Sequence, residues 1–320
     1  MIKANVSRSE GAIAYSNLCN RENILGFSSS VVSGILQQLC NCFKKIPGWI
    51  KILFLTIFLS GFFSGITSAQ PGWIKIDDGL HYNEFTSPLK SDVGNSKIFV
   101  LRINPEVFDF FLFSASEHPE GQALGVREWV EKYGLIAAIN AGMFQKDLKS
   151  NVGYMKNFGH FNNPKIHKNY HSVFAFHPRK TELNSAGIFD IDVNNIKEII
   201  EGYDTVIQNL RLIKRPGLNQ WSRQEKRWSE AALGQDHDGN ILFIFSESPY
   251  SMHDLVEILL KLPVKIACAQ HLDGGSAAAF YMRYNKTEIF KAGRYKTNSL
   301  INSPEAGLLP VPNIIGIKKK

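Results

Sequence analysis

Two short runs hold the residues best suited to chemistry: Asn140-Ala141-Gly142-Met143-Phe144 and His271-Leu272-Asp273-Gly274-Gly275-Ser276. Each follows an apolar stretch that reads as a buried strand, Leu135–Ile139 before the first and Val264–Ala269 before the second. A polar side chain followed by glycine at the end of a buried strand is where open sheets place ligand-contacting groups. Glycine there lets the backbone approach a ligand and can aim N–H groups at an anion. Either run alone reads equally well as a tight turn; two in one chain favour a site.

Those runs need a framework, and the pattern around them predicts an α+β fold. It is a single domain with one mixed, mostly antiparallel sheet and helices packed on its outside. Trp73–Asp77, Leu80–Phe85, Lys97–Ile103 and Val107–Phe113 read as strands. Ser172–His177, Ile188–Asp192, Thr205–Ile213, Ala231–Gln235 and Ile241–Ser246 follow, with Phe280–Tyr284, Glu288–Lys291 and Asn313–Lys318 closing the sheet. Gln122–Tyr133 predicts a helix with Val126, Trp129, Val130 and Tyr133 on one face. Ser251 predicts the cap of a second helix running to Leu262, with Asp254 three residues on. The glycine of Asp236-His237-Asp238-Gly239-Asn240 sits at the wrong offset for a calcium loop, so a hairpin turn is expected there.

The ends of the chain read as separate from that domain. Lys44, Lys45 and Lys51 precede the apolar run Ile52–Leu59, and Thr67-Ser68-Ala69 follows. This is the layout of a cleavable export leader at 46–69, cut between Ala69 and Gln70. The apolar run is short for a membrane span, with an uncleaved anchor as the alternative. Residues 1–45 form an extension, disordered or the product of a mis-assigned start; 70–96 supply the first strands and 97–320 the main domain. The expected location is periplasmic or secreted, with membrane contact only through the leader.

Charge and cysteines narrow the function. Of the 320 residues, 44% are hydrophobic and 12% aromatic, ample for a core. The formal charge of +7 includes six Lys/Arg and two Glu before residue 70, leaving 30 Lys/Arg against 27 Asp/Glu, or +3, in the rest. No basic face for nucleic acid follows. Cys19, Cys40 and Cys42 precede the expected cut, leaving Cys268 alone in an apolar strand, where a buried, inert thiol is expected.

Familiar catalytic signatures fail here. Gly274-Gly275-Ser276-Ala277-Ala278 lacks the last glycine of a nucleophile elbow, and there is no phosphate-binding Walker loop or G-x-G-x-x-G. His160, His167, His171 and His177 lack an H-E-x-x-H frame and read as ordinary loop and strand histidines. No metal and no cofactor are expected, and nothing in the sequence sets an oligomeric state.

The ordered set of motifs resembles a known family. Ala138-Ile139-Asn140-Ala141-Gly142-Met143-Phe144 resembles the N-G-G-F-F segment of the phosphodiester glycosidases, the family of the lysosomal uncovering enzyme, and especially its exported bacterial branch. Trp228–Asp236, Gly239–Phe243, Met252-His253-Asp254-Leu255 and Leu272–Ala277 continue the resemblance in order, over roughly Lys97 to Lys318. Two departures stand out. Where the family has R-T-A-I-G, this chain has Glu230-Ala231-Ala232-Leu233-Gly234; where it has N-L-D-G-G-G-S, His271 replaces the Asn and one Gly is missing.

The resemblance implies hydrolysis of a sugar-1-phosphodiester in envelope or extracellular glycoconjugates. Asp273, at a strand end before two glycines, is expected to be the carboxylate that this reaction needs to assist water or steady an oxocarbenium-like transition state; the alternative is an Asp that only accepts N–H bonds in its own turn. Asn140 is expected to orient a hydroxyl or the water, and Glu230 to be a second carboxylate or to face solvent. Gly142, Gly274, Gly275, Ser276, His271 and Trp221 are the remaining expected contacts. Arg211 is expected to be either a phosphate ligand or half of a structural ion pair, with Arg215 and Arg227 as other replacements for the lost arginine. The expected partner is a carbohydrate or phosphoglycan. A non-catalytic glycan- or phosphoglycan-binding protein of the envelope is the competing reading.

Overall fold

The computed structural model describes residues 72–118, 121–296, 299–300 and 309–320. The leader and N-terminal extension expected at 1–69 lie outside the described residues. The described residues all fall within one compact unit, Ala69–Lys320. Among them no helix is long and apolar enough to cross a membrane.

The strands, in chain order, begin with β1 Ile74–Asp77, β2 Leu80–Thr86, β3 Lys97–Ile103, β4 Phe108–Ser114, β5 Ala137–Asn140, β6 Met155–Asn157, β7 His160–Asn163, β8 Ser172–Pro178 and β9 Ala186–Asp190. There follow β10 Tyr203–Ile213, β11 Trp228–Asp236, β12 Ile241–Tyr250, β13 Ile266–Gly274, β14 Ala279–Tyr284, β15 Thr287–Ala292, β16 Tyr295–Lys296, β17 Ser299–Leu300 and β18 Asn313–Lys319. Three α-helices join them among the described residues: α1 Val126–Tyr133, α2 Ile196–Gly202 and α3 Met252–Lys261.

The strands form two sheets where one mixed sheet was expected. The larger runs β1-β2-β3-β12-β11-β13-β10-β6-β7, with β8 and β9 joined through β10 and the short β16 and β17 through β11. The smaller runs β15-β14-β5-β18-β4. Every described ladder is antiparallel, for example β11–β12, β11–β13 and β18–β5. Side-chain alternation explains the layering. In β4, Phe108, Phe110 and Leu112 enter the core between the sheets, while Phe111 and Phe113 pack on the outer side with α1. In β12, Ile241, Phe243 and Phe245 face that same inner core, and Leu242 and Ile244 face α3. A strand covered on both faces reads as an unbroken apolar run.

Each outer helix lays one stripe on its sheet. In α1, Val126, Trp129 and Val130 recur at helical spacing and are buried against Ala138, Tyr281 and Ile314. The Glu128 carboxylate accepts the Gly125 N–H at 2.8 Å, and Gly134 ends the helix at φ 58°. For α3, Ser251 Oγ accepts the Asp254 N–H at 3.1 Å, as the spacing predicts. The 236–240 segment is the expected hairpin turn: Asp236 Oδ1 accepts the Asp238 and Asn240 N–H groups.

Candidate active site

β13 does not end before the second glycine run; it carries it. The strand extends through His271 and Asp273 to Gly274, paired with β11 on one side. The register holds His271 opposite Ala232 and Asp273 opposite Ala231, so Leu272 is an extra, bulged residue between them. A bulge breaks the alternation and re-aims the side chains beside it. His271 and Asp273, two residues apart on the strand, both line one cavity of about 270 Å³, together with Gly274, Gly275, Ser276, Trp228 and Met143.

The first run comes from the opposite sheet. Asn140 ends β5, and its Oδ1 accepts the N–H of Ala279, just beyond the second run, at 3.1 Å. That bond pins the two runs together, and Met143 reaches the cavity. Asn140 itself is buried and does not line it, and its Nδ2 has no partner among the described residues. Gly142 is a packing residue: a Cβ there would stand 2.4 Å from Asn209 Oδ1 and 2.6 Å from Asn151 Oδ1. Asn209 Nδ2 meanwhile donates to the Ala141 carbonyl at 2.8 Å.

Behind the cavity wall lies a polar pair that the sequence does not announce. Glu230, on β11, is 2% exposed, and one carboxylate oxygen is hydrogen-bonded to His271 Nδ1. The other accepts the Trp228 indole N–H at 2.6 Å. Glu230 therefore neither faces solvent nor lines the cavity: alternation puts it on the face of β11 that carries Ala232, which is covered. The indole lies tightly over Gly274, where a Cβ would sit 2.1 Å from Trp228 Cδ1. Only glycine admits that ring.

Burial and charge set the titration of the site. Burial pushes the Asp273 carboxyl up to about 6, against the pull of His271 and of the Gly274 N–H that it accepts at 2.7 Å. Burial likewise raises Glu230, with His271 opposing. For His271, burial disfavours the charged ring, but the charge and hydrogen bond of Glu230 outweigh it and hold the imidazole above its ordinary value. Tyr170 is raised by burial and then by the Asp273 charge, which places it beside the site.

The remaining expected residues lie elsewhere. Arg211 binds Asp190 and Asp192, each at 2.7 Å, and Gln220, forming the structural ion pair of the two alternatives. It lines a separate groove with His171, Lys214 and Trp221, whose indole N–H donates to the Leu212 carbonyl. Arg215 reaches Gln235 and Cys268, and Arg227 pairs with Asp92. None of the three arginines lines the Asp273 cavity. Cys268 is buried, and burial pushes its thiol up to about 11. The four histidines have separate partners: His160 bonds Ser116, His171 Asp192 and His177 Thr205, while the His167 ring lies against Tyr170. Trp228, Met143 and Tyr170 were not singled out from the sequence. The one signal for Trp228 was its place two residues before Glu230, on one face of a strand.

The molecule is thus an antiparallel two-sheet fold with a strand-borne carboxylate beside glycine-rich backbone at one cavity. Residues 133–318 match the phosphodiester glycosidase family, more than half of the chain, and the protein belongs to that family. Among solved structures, the fold is shared with the zebrafish N-acetylglucosamine-1-phosphodiester alpha-N-acetylglucosaminidase catalytic domain, auto-inhibited by its pro-peptide. That likeness has TM-score 0.54 and 14% identity, covering 77% of this chain and 86% of the zebrafish domain. A hypothetical protein from Synechocystis is similar at TM-score 0.52 and 12% identity over 78% of this chain. The chain spans 63% of the length of that protein. No curated protein matches by sequence.

Proposed function

We propose that this protein is an exported hydrolase that cleaves a sugar-1-phosphodiester in envelope or extracellular glycoconjugates, with Asp273 as its carboxylate. One observation carries the reading most: the two glycine-bearing runs meet at a single cavity, with Asp273 on its wall. A carboxyl raised to about 6 is ionised at neutral pH yet basic enough to take a proton from water. In the proposed reaction the bond between the anomeric carbon and the phosphate oxygen breaks, and its electrons stay with the phosphate monoester. Water adds to the anomeric carbon and yields its proton to Asp273. A phosphate monoester leaves readily, so no strong acid is needed opposite the base.

Asn140 serves this reaction by fixing the two runs against each other. Gly274, Gly275 and Ser276 bring backbone close to the sugar. As a base, Asp273 gives kcat/KM an acidic limb that rises with an apparent pKa near 6. Release of reducing sugar measured across pH tests this; a rate that instead falls as pH rises through that value contradicts it. Glycan binding without turnover would transfer the protein to the non-catalytic reading.

A further inference from the structure

A phosphodiester carries one negative charge, and among the described residues no Lys or Arg lines the cavity that would receive it. Asp273 adds a second negative charge on the same wall. The obvious cations are engaged elsewhere: Arg211 by two aspartates and Arg227 by Asp92. What faces the cavity is the His271 ring. Its Nδ1 is taken by Glu230, which leaves Nε2 for the cavity that the ring lines. Glu230 is itself oriented from behind by the Trp228 indole.

We propose that protonated His271, kept charged by the buried Glu230 behind it, is the cation that binds the substrate phosphate, so that binding weakens as rising pH removes the proton. This rests on the hydrolase reading and deepens it. The two departures from the family pattern then form one unit. A glutamate at 230 alone would be a buried carboxylate held only by the Trp228 indole, and a histidine at 271 alone would have no carboxylate to hold it charged. Together, across the β11–β13 ladder, they supply a positive ring edge in place of the arginine that the family carries at position 230.

The titratable groups facing the imidazole among the described residues are Glu230 from β11 and Asp273 from β13, with Tyr170 beyond Asp273. Its ladder neighbours Ala232 on β11 and Leu210 on β10 carry no charge, nor does the Trp228 ring, edge-on with centroids 6.4 Å apart. Glu230 is hydrogen-bonded to the ring, and its charge favours the imidazolium.

The test uses dimethyl phosphate, a phosphodiester of constant charge, bound to the full chain carrying Asp273→Asn, which removes the other carboxylate titrating on the cavity wall. Affinity followed by NMR between about pH 5 and 9 is expected to fall about tenfold or more, in step with the His271 ring signal. His271→Asn is expected to abolish both the tight binding and its pH dependence. Glu230→Gln is expected to keep the transition but move it to lower pH, which a merely structural role would not do. Should His271→Asn fail to fold with Glu230 left unpaired, the double variant with Glu230→Gln replaces it. Binding that is absent, flat with pH, or unchanged in the His271 variant overturns the proposal. If the phosphodiester binds as expected while wild-type protein hydrolyses no sugar-1-phosphodiester, the hydrolase reading fails and this one stands. Turnover with pH-independent binding has the opposite meaning.

Discussion

At the scale of single residues, Asp273 carries an unusual stability signature. Its carboxyl titrates near 3.8 in an unfolded chain and about 6 in the fold. A carboxyl raised on folding favours the native state fully below the lower value and loses that favour as pH rises through the higher one. Asn at 273 has no charge to bury. The melting temperature of Asp273→Asn is therefore expected to gain on wild type between about pH 4 and 8, by the equivalent of at most ~3 kcal/mol. A constant difference across that range contradicts the raised carboxyl. Gly274→Ala is expected to act through Trp228: the new methyl would push the indole off Glu230 and cost about 1–3 kcal/mol. A red-shifted, quenched tryptophan emission with a lower Tm is the expected result; unchanged emission would mean that the ring does not rest on Gly274. Asp273 and its glycines were legible in the sequence because a charged residue before two glycines is a local signal. The Glu230–His271 contact was not, since it depends on ladder register between positions 41 residues apart.

At the scale of elements, the structure departs from the sequence where local pattern is weak. β12 and α3 follow the apolar periodicity, and Ser251 caps α3 as its spacing predicts. Ser251→Ala is expected to cost about 1 kcal/mol by leaving the Asp254 N–H unpaired. Chemical denaturation checks this; a loss near zero would mean that water replaces the cap without penalty. The β6–β7 hairpin is not legible in the sequence because Met155–Asn157 and His160–Asn163 have almost no apolar alternation. Asparagine side chains hold it instead, Asn162 reaching the Lys149 carbonyl and Asn163 the Asn151 carbonyl. Helix α2 was missed although Asn195 caps it through the Lys197 N–H, since seven residues rich in isoleucine also suit a strand. β13 runs further than its local pattern indicates: the polar residues in His271-Leu272-Asp273 read as a loop, but pairing with β11 continues through them.

At the scale of the whole molecule, the antiparallel character and outer helices were legible, but the division into two sheets was not. Alternation tells which residues are buried, and it does not tell which of two sheets a strand joins. That division matters because β5 and β13 lie in different sheets, and the cavity takes Met143 from beyond the end of β5 and His271 and Asp273 from β13. Export is a separate proposal. N-terminal sequencing of envelope-fraction protein is expected to begin at Gln70; a chain starting at Met1 in the soluble cytoplasm contradicts it. Hydrolysis itself is tested most directly by incubating wild type and Asp273→Asn with a panel of sugar-1-phosphodiesters and measuring free sugar. Wild type is expected to turn over at least one member, and Asp273→Asn, folded and no less stable at neutral pH, to lose about two or more orders of magnitude in kcat. Near-normal turnover by the variant, or none by wild type on any member, contradicts the assignment of Asp273 as the catalytic carboxylate of a phosphodiester hydrolase.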